Sequence, residues 1–424
     1  MKGETIIMKL KVIIWGAGYK GKNLAKEIEQ NYDCLDVTGF GDNDTKKIGN
    51  FYDGVIVYRI DEVKKNQKDI DCVIISIPNE ENLYKQLVGE LEIPIYRDVF
   101  ELMNKRFSID ITGWCNGKCK WCYTGRKNYM NESLNKKYMR YEEFVRVHRH
   151  LINAKIMYPF QEIILYSWGE PFLNPDYLKI IDYLAQEEQL FSISTNASCP
   201  QYTINSKAYK NCNTVVFSLS GISNKSYKRI HGFDIEIIKK NIKKIIENMR
   251  KNGFQGDAKL SFHVYNYNQN EVEIARKFAE DLNILFEPFP AYLCIMSMQT
   301  SFWRGEINNE EIQEIRNELI MSHIPKLINE RPADYRCPLE NMISIDCDGK
   351  LELCCGSDAG MKDFKWCSIF DIKKLYQWQK YRAEMLNSTT CNECRKWGID
   401  YQMCNNPNYD ELNKYCQFNL KEVL

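Results

Sequence analysis

The chain has 424 residues, 44% of them hydrophobic and 12% aromatic, with no low-complexity tract, so it can bury several cores and a length-based prior gives roughly two to four domains. Lys plus Arg and Asp plus Glu number 57 each, a formal charge of zero, which excludes a global field drawing the protein to nucleic acid or to an anionic membrane. The N-terminal run MKGETIIMKLKVIIW lacks the roughly 7–15-residue apolar core of a signal peptide, and no uninterrupted apolar stretch of about 18 residues occurs, so a cytoplasmic protein without membrane or nucleic-acid partners is expected.

Residues 10–15, LKVIIW, predict a strand that runs into Gly16-Ala-Gly18-Tyr-Lys-Gly21 and then a helix over KNLAKEIEQ. In such a turn the first two glycines permit a tight bend and close backbone approach, and the third lets helix pack on strand. The helix N-terminus then presents N–H groups to a phosphate. A second strand, VTGF, ends at Gly41-Asp42-Asn43-Asp44, where a ribose-binding carboxylate would stand, and Asp42 is the better placed of the two aspartates. Strands at 55–58, 71–78 and 93–96 alternate with helical stretches, which makes 1–104 a small parallel α/β domain. The pattern resembles the Rossmann-like domain of bacterial polysaccharide and sugar-modification enzymes, nucleotide-sugar acetyltransferases among them. That resemblance implies a nucleotide or nucleotide-sugar held by Gly16, Gly18, Gly21 and Asp42. A domain that keeps the fold but binds no ligand, or that docks a partner, is the alternative. NAD is disfavoured, because nothing downstream looks like a hydride-transfer partner.

The next feature is Cys115-Asn-Gly-Lys-Cys119-Lys-Trp-Cys122, three thiols within eight residues. Iron-sulfur clusters are normally held by four thiolates, so three leave one iron with open coordination positions. A zinc knuckle would use paired C-x2-C arms and a fourth ligand, and no His lies near this loop; unrelated buried thiols are the other alternative. The C-x3-C-x2-C spacing, with Trp121 before and Tyr123 after the last Cys, resembles the cluster loop of the radical S-adenosylmethionine (SAM) superfamily. The resemblance implies a 4Fe-4S cluster on Cys115, Cys119 and Cys122, with SAM chelated to its open iron and Tyr123 beside the cofactor. It also implies a reductant such as flavodoxin or ferredoxin, whose electron cleaves SAM to a 5'-deoxyadenosyl radical that abstracts a substrate hydrogen.

From 105 to 300 the chain repeats strand and helix, with strands at 107–112, 162–167, 191–195, 214–220, 259–265 and 284–289, and amphipathic helices such as YEEFVRVHRHLINA and IEIIKKNIKKIIENM between them. The fold class is therefore α/β, with a partial (β/α)6 barrel whose function lies on the loops after its strands. After the second strand, Ser167-Trp168-Gly169-Glu170-Pro171 resembles the superfamily's GGEP motif with Trp replacing the first glycine, which implies that Gly169 and Glu170 receive the amino group of SAM. The third strand ends in Ser194-Thr195-Asn196-Ala197, similar to an STNG turn that meets the ribose and carboxylate of SAM. Ser220, at the end of the fourth strand, stands where many relatives have Asp. In Tyr227-Lys-Arg-Ile-His231-Gly232 the histidine reads as a packing residue. Cys34, Cys72, Cys199, Cys212 and Cys294 are scattered singly and read as packed thiols.

A helical linker is expected over 301–330, followed by a small module over 331–424 that holds nine of the 17 cysteines. Cys337, then Gly349 to Cys354, then Cys391 with Cys394 resemble the auxiliary-cluster domain called SPASM or its shorter form, twitch. A twitch module implies one 4Fe-4S cluster on Cys337, Cys354, Cys391 and Cys394. The longer pattern implies two clusters, Cys404 joining Cys337, Cys347 and Cys354, while Asp400 and Cys416 join Cys391 and Cys394. Apart from that resemblance, thiolates on three separated arms are equally a structural zinc site. Relatives with this module often modify ribosomal peptides and carry a winged-helix domain. The Rossmann-like domain here points instead to a nucleotide-linked sugar, dehydrogenated or epimerised, with a peptide or protein substrate and a docking N-terminal domain as the alternative.

Overall fold

The structure, a computed structural model, describes residues 9–77, 81–133, 136–199, 206–320, 329–332, 335–356 and 367–401. The chain divides into two compact units, one of 1–105 with 153–157 and 372–386, the other of 106–152 with 158–371 and 387–424. No helix among the described residues is long and apolar enough to cross a membrane.

The first unit contains β1 (Leu10–Trp15), α1 (Tyr19–Asn31), β2 (Leu35–Gly41), β3 (Phe51–Tyr52), β4 (Val55–Tyr58) and α2 (Ile60–Asn66), then β5 (Cys72–Ile75), α3 (Glu81–Glu90), β6 (Ile95–Tyr96) and α4 (Val99–Met103). Its six strands lie in the order β3-β4-β2-β1-β5-β6, parallel throughout except for the β3–β4 hairpin. In β1 every residue but Lys11 is buried, as expected of a central parallel strand covered on both faces. The glycine turn behaves as the sequence predicts at two of its three positions. Gly16 has φ +108°, and a methyl group on Gly21 would lie 1.8 Å from the Gly16 carbonyl oxygen, so only glycine lets α1 seat on β1. Gly18 needs no such explanation, since a methyl there would point into open space. The edge strand β6 is closed by a helix at Leu375–Met385 belonging to the same unit. Gln379 accepts from the Ile95 N–H at 3.0 Å and donates to its carbonyl at 2.6 Å, satisfying backbone groups an unpaired edge would expose.

The second unit is built on β7 (Arg106–Ile109), β8 (Glu162–Ile164), β9 (Phe191–Thr195), β10 (Cys212–Ser218), β11 (Asp257–Val264) and β12 (Leu285–Pro290). They form the parallel run β12-β11-β10-β9-β8-β7 in chain order, with α5 (Tyr123–Tyr129), α6 (Tyr141–Asn153), α7 (Tyr177–Gln186), α8 (Asn224–His231), α9 (Ile235–Lys251) and α10 (Val272–Asp281) between them. The predicted periodicity is seen directly in α9, where Ile235, Ile238, Ile242, Ile245, Ile246 and Met249 are buried and Asp234 caps the N-terminus by accepting the Glu236 N–H.

Two parts of the chain hold contacts that the sequence reading did not include. The segment expected as a helical linker carries helices, α11 (Met296–Arg304) and α12 (Asn309–Glu318). Ile315 of α12 and Leu319 just beyond it pack with Trp121 and Leu293 in one apolar cluster, Trp121 donates to Glu318 at 2.9 Å, and Arg126 pairs with Glu311 at 2.7 Å. It is a buttress under the cysteine loop. The C-terminal segment, read as one separate module over 331–424, is shared out. β13 (Ile343–Ile345) pairs parallel with β7 and β14 (Leu351–Glu352) antiparallel with β13, extending the barrel sheet, and 372–386 belongs to the first unit. The edge of β7 has backbone groups to satisfy, and Ile343–Ile345, buried along its whole length, satisfies them.

Candidate functional site

The loop after β7 is pinned at several points. Asn128 of α5 donates to the carbonyls of Cys115 at 2.7 Å and Gly117 at 2.6 Å, and Lys118 N–H donates to the His231 carbonyl at 2.9 Å. A methyl group at Gly117 would lie 3.5 Å from both Cys115 Sγ and Cys119 Sγ, so these two sulfurs flank one point of the loop. Cys122 is the N-cap residue of α5, with the N–H groups of Thr124 and Gly125 toward its sulfur. The three thiols line one cavity with Gly169, Glu170, Ser194, Thr195, Asn196 and Ser220, so the predicted residues of four successive strand ends converge.

Glu170 ties two of those ends together. Its Oε1 accepts from Thr195 Oγ1 at 2.7 Å and Phe172 N–H at 3.2 Å, and its Oε2 accepts from Asn196 N–H at 2.7 Å. Burial pushes its pKa up to about 7 against the lowering effect of these donors. The carboxylate therefore reaches the cavity already engaged, its first duty being to set the β9 turn. Gly169 allows this approach, since a methyl there would sit 1.4 Å from the Thr112 carbonyl oxygen. Asp110, on the same strand end as the loop, accepts from Thr112 N–H at 3.2 Å and Trp168 N–H at 3.1 Å. Tyr123 does not line the cavity. Its ring meets Trp168 edge-on at 5.6 Å and its hydroxyl accepts from Lys127, so it steadies the wall rather than the ligand.

The cavity suits an iron-sulfur cluster and a polar nucleoside. Burial raises the pKa of all three thiols, most strongly at Cys115 and Cys119, so bare sulfurs stay protonated and a cationic centre is needed to draw them to thiolate. Hydrogen-bond donors already point at them. Gly117 N–H and Asn196 Nδ2 each lie 3.4 Å from Cys115 Sγ, and His231 Nδ1 lies 3.1 Å from Cys119 Sγ. Ser167 Oγ and Trp168 Nε1 line the cavity buried and without a partner among the described residues, as groups awaiting a polar ligand would.

Two residues that sequence reasoning set aside belong here. His231, read as packing, touches the cluster loop; burial pushes its pKa down to about 3, and that of neighbouring His263 to about 4. Cys294, read as a packed thiol, lines the cavity in electrostatic reach of Cys122, and burial raises its pKa so that it stays a thiol. No local spacing marks either one, because helix α8 and the loop after β12 bring them in from about 110 and 170 residues downstream of the cysteine run. Ser220 Oγ lies 3.0 Å from His263 Nδ1 and accepts from the His263 N–H at 3.3 Å.

In the first unit, Gly16, Gly18, Gly21 and Asp42 line a separate cavity with Lys47, Asn43 and Ser76. Asp42 is less available than the sequence suggests. Its Oδ2 accepts from Ala17 N–H at 2.8 Å and Lys47 Nζ at 2.9 Å, and its Oδ1 from Asp44 N–H at 2.9 Å. The carboxylate is a strut for the glycine turn, and its pKa is lowered, the donors from Lys47, Asp44 and Ala17 outweighing burial.

In the C-terminal segment, Cys337, Cys354, Cys391 and Asp400 all lie in electrostatic reach of Cys394, and Cys354 and Cys394 pack with Met296 and Ile399. These four cysteines are the set of the one-cluster reading. Cys347 has other neighbours. It sits against Gly113, where a methyl would lie 2.4 Å from its sulfur, beside Asp110, Asp346 and Asp348. Asp400 is buried and paired with Arg331 at 2.8 Å, its Oδ1 without a partner among the described residues. Cys404 and Cys416 lie outside the described residues. Among the described residues no three His, Cys, Asp or Glu groups converge as tightly as one metal ion requires.

Comparison with known proteins agrees with this geometry. Residues 109–279 match the radical SAM superfamily, and residues 8–97 match the family described as C2185-like, N-terminal. A probable GTP 3',8-cyclase of Methanococcus vannielii is 29% identical over 151 residues, 35% of this chain, which spans about half (48%) of that relative. Among solved structures, Streptococcus suis SuiB bound to precursor peptide SuiA is 15% identical over 69% of this chain and 70% of its own, with a TM-score of 0.46. UDP-D-quinovosamine 4-dehydrogenase from Vibrio fischeri is 24% identical over 22% of this chain and 83% of its own, with a TM-score of 0.19. The superfamily match falls on the segment carrying the three thiols, Glu170 and the β9 turn, so the segment that builds this cavity, residues 109–279, is similar to a radical SAM domain.

Proposed function

We propose that this protein is a radical SAM enzyme that acts on a small nucleotide-linked substrate, a sugar derivative, and dehydrogenates or epimerises it. The observation that carries the radical part is the convergence of Cys115, Cys119 and Cys122 with Glu170, Thr195 and Asn196 on one cavity. Cys115, Cys119 and Cys122 would hold a 4Fe-4S cluster that, with SAM bound and an electron from a flavodoxin- or ferredoxin-type partner, would supply a 5'-deoxyadenosyl radical there. The chain's own residues orient and seclude. Glu170 fixes Thr195 and Asn196, and Trp121, Tyr265 and Tyr292 wall the cavity against water. Cys294 holds a protonated thiol at the cavity, the group that epimerisation needs to return a hydrogen, while an auxiliary cluster on Cys337, Cys354, Cys391 and Cys394 would take the electron of a dehydrogenation.

The nucleotide part is supported by the glycine-turn cavity with Lys47 beside it, and by a relative named for a GTP substrate. A second reading, a peptide or protein substrate with the first unit as a docking module, is favoured by one observation: both oxygens of Asp42 are already engaged by Ala17, Asp44 and Lys47, which leaves less of the carboxylate for a ribose. Anaerobic reconstitution tests the radical chemistry. Wild type should form 5'-deoxyadenosine from SAM under strong reductant and Cys115→Ala should not; colourless protein that leaves SAM intact refutes it. Thermal shifts with UDP-sugars, NAD and peptides decide the substrate class, since a ligand bound only by the folded state raises its stability. Stabilisation by peptides but not by UDP-sugars would favour the second reading.

A further inference from the structure

His231 is the last residue of α8, and the helix ends there on Gly232 in the left-handed region at φ 84°. Two contacts press this end against the cysteine loop. The His231 carbonyl accepts from Lys118 N–H at 2.9 Å, and its imidazole Nδ1 lies 3.1 Å from Cys119 Sγ. His231 is 5% exposed, and its ring packs against Tyr227 at 4.5 Å between centroids.

The hydrogen bond at the far side of the ring fixes which nitrogen carries the proton. Ser220 N–H points at His231 Nε2 at 3.3 Å, and a backbone amide can only donate. Nε2 must therefore present its lone pair, which leaves the proton of the neutral imidazole on Nδ1, facing the sulfur. We propose that His231 is a positioning residue that donates its Nδ1–H to the Cys119 sulfur and so raises the reduction potential of the SAM-binding cluster. The inference rests on the radical SAM reading above. A hydrogen bond to a ligand sulfur withdraws electron density from the cluster and favours the reduced, more negative state. Ser220 acts one step further out, since its amide keeps the imidazole in the donating tautomer.

The test uses the full chain, reconstituted without oxygen, and follows the reduced-cluster EPR signal that changes on adding SAM. His231→Phe keeps a ring of similar bulk and loses the donor. Its ratio of reduced to oxidised cluster at a fixed potential should fall about tenfold, a midpoint about 59 mV more negative for a one-electron couple. His231→Asn places an amide N–H near the position of Nδ1 and should stay close to wild type. An unchanged midpoint in His231→Phe, or equal shifts in both variants, overturns the proposal, because bulk alone would then explain the residue. If His231→Phe does not retain iron, wild-type protein labelled with 15N-histidine decides instead. A histidine nitrogen coupling to the reduced cluster in pulsed EPR, lost in His231→Asn, supports the donor, and no such coupling in wild type overturns it. Wild-type protein that binds no iron at all sinks the radical SAM reading, and this proposal with it.

Discussion

At the scale of single residues, the cavity is held by carboxylates whose work is mostly done inside the protein. Asp110 is the clearest, since it accepts from Thr112 and Trp168 N–H groups and so sets the spacing between the cysteine loop and Gly169. Burial pushes its pKa up to about 7, above the ordinary carboxylate range, despite those donors. A folded-state value raised above the unfolded one means that the folded state binds the extra proton. The contribution is therefore fully present below about pH 4 and is lost as pH rises through about 7. Buried His148, His231 and His263 have lowered values and act in the opposite sense below about pH 6.5, so the comparison must be with a variant. Urea midpoints of cluster-free wild type, measured against Asp110→Asn, should fall progressively between about pH 4 and pH 8. A constant difference across that range would show that Asp110 titrates as it does in the unfolded chain.

At the scale of elements, edges explain the arrangements that the sequence reading did not anticipate. Five strands of the first sheet and six of the second are visible as apolar runs, but what closes an outer strand leaves no periodic signal. For β7 it is the hairpin strand at Ile343–Ile345, and for β6 it is a single side chain, Gln379, on a helix some 284 residues away in sequence. Gln379→Leu would leave the Ile95 N–H and carbonyl buried without partners. It should destabilise the first unit by about 2 kcal/mol, with faster hydrogen exchange at the Ile95 amide. Unchanged protection at Ile95 would mean that water or a neighbouring group replaces the glutamine. The helices of the expected linker follow the same logic, because Ile315 and Leu319 have no core of their own and bury themselves against Trp121 below the cysteine loop.

At the scale of the whole molecule, the metal content is the quantity that separates the competing readings. Cys337, Cys354 and Cys391 lie in electrostatic reach of Cys394, whereas Cys347 has different neighbours. On the proposed one-cluster reading, wild type should hold about eight irons per chain, counting the SAM-binding cluster. Cys391→Ala should hold about four irons and still form 5'-deoxyadenosine, because neither Cys391 nor its partners line the cavity that contains Cys115. About twelve irons in wild type, with a loss on Asp400→Ala, would instead favour the two-cluster reading; loss of SAM cleavage in Cys391→Ala would mean that the two centres assemble together.

The order of strands and helices, the glycine turn, the cysteine loop and the Glu170 and Asn196 turns were legible in the sequence. Each is a local pattern, set by backbone sterics or by side-chain spacing over a few residues. The engagement of Asp42 and Glu170 by their own neighbours, the division of the C-terminal segment and the arrival of His231 and Cys294 at the thiols were decided only by tertiary structure. Burial and hydrogen-bond partners depend on what other segments bring to a point in space, and a linear pattern carries no record of that.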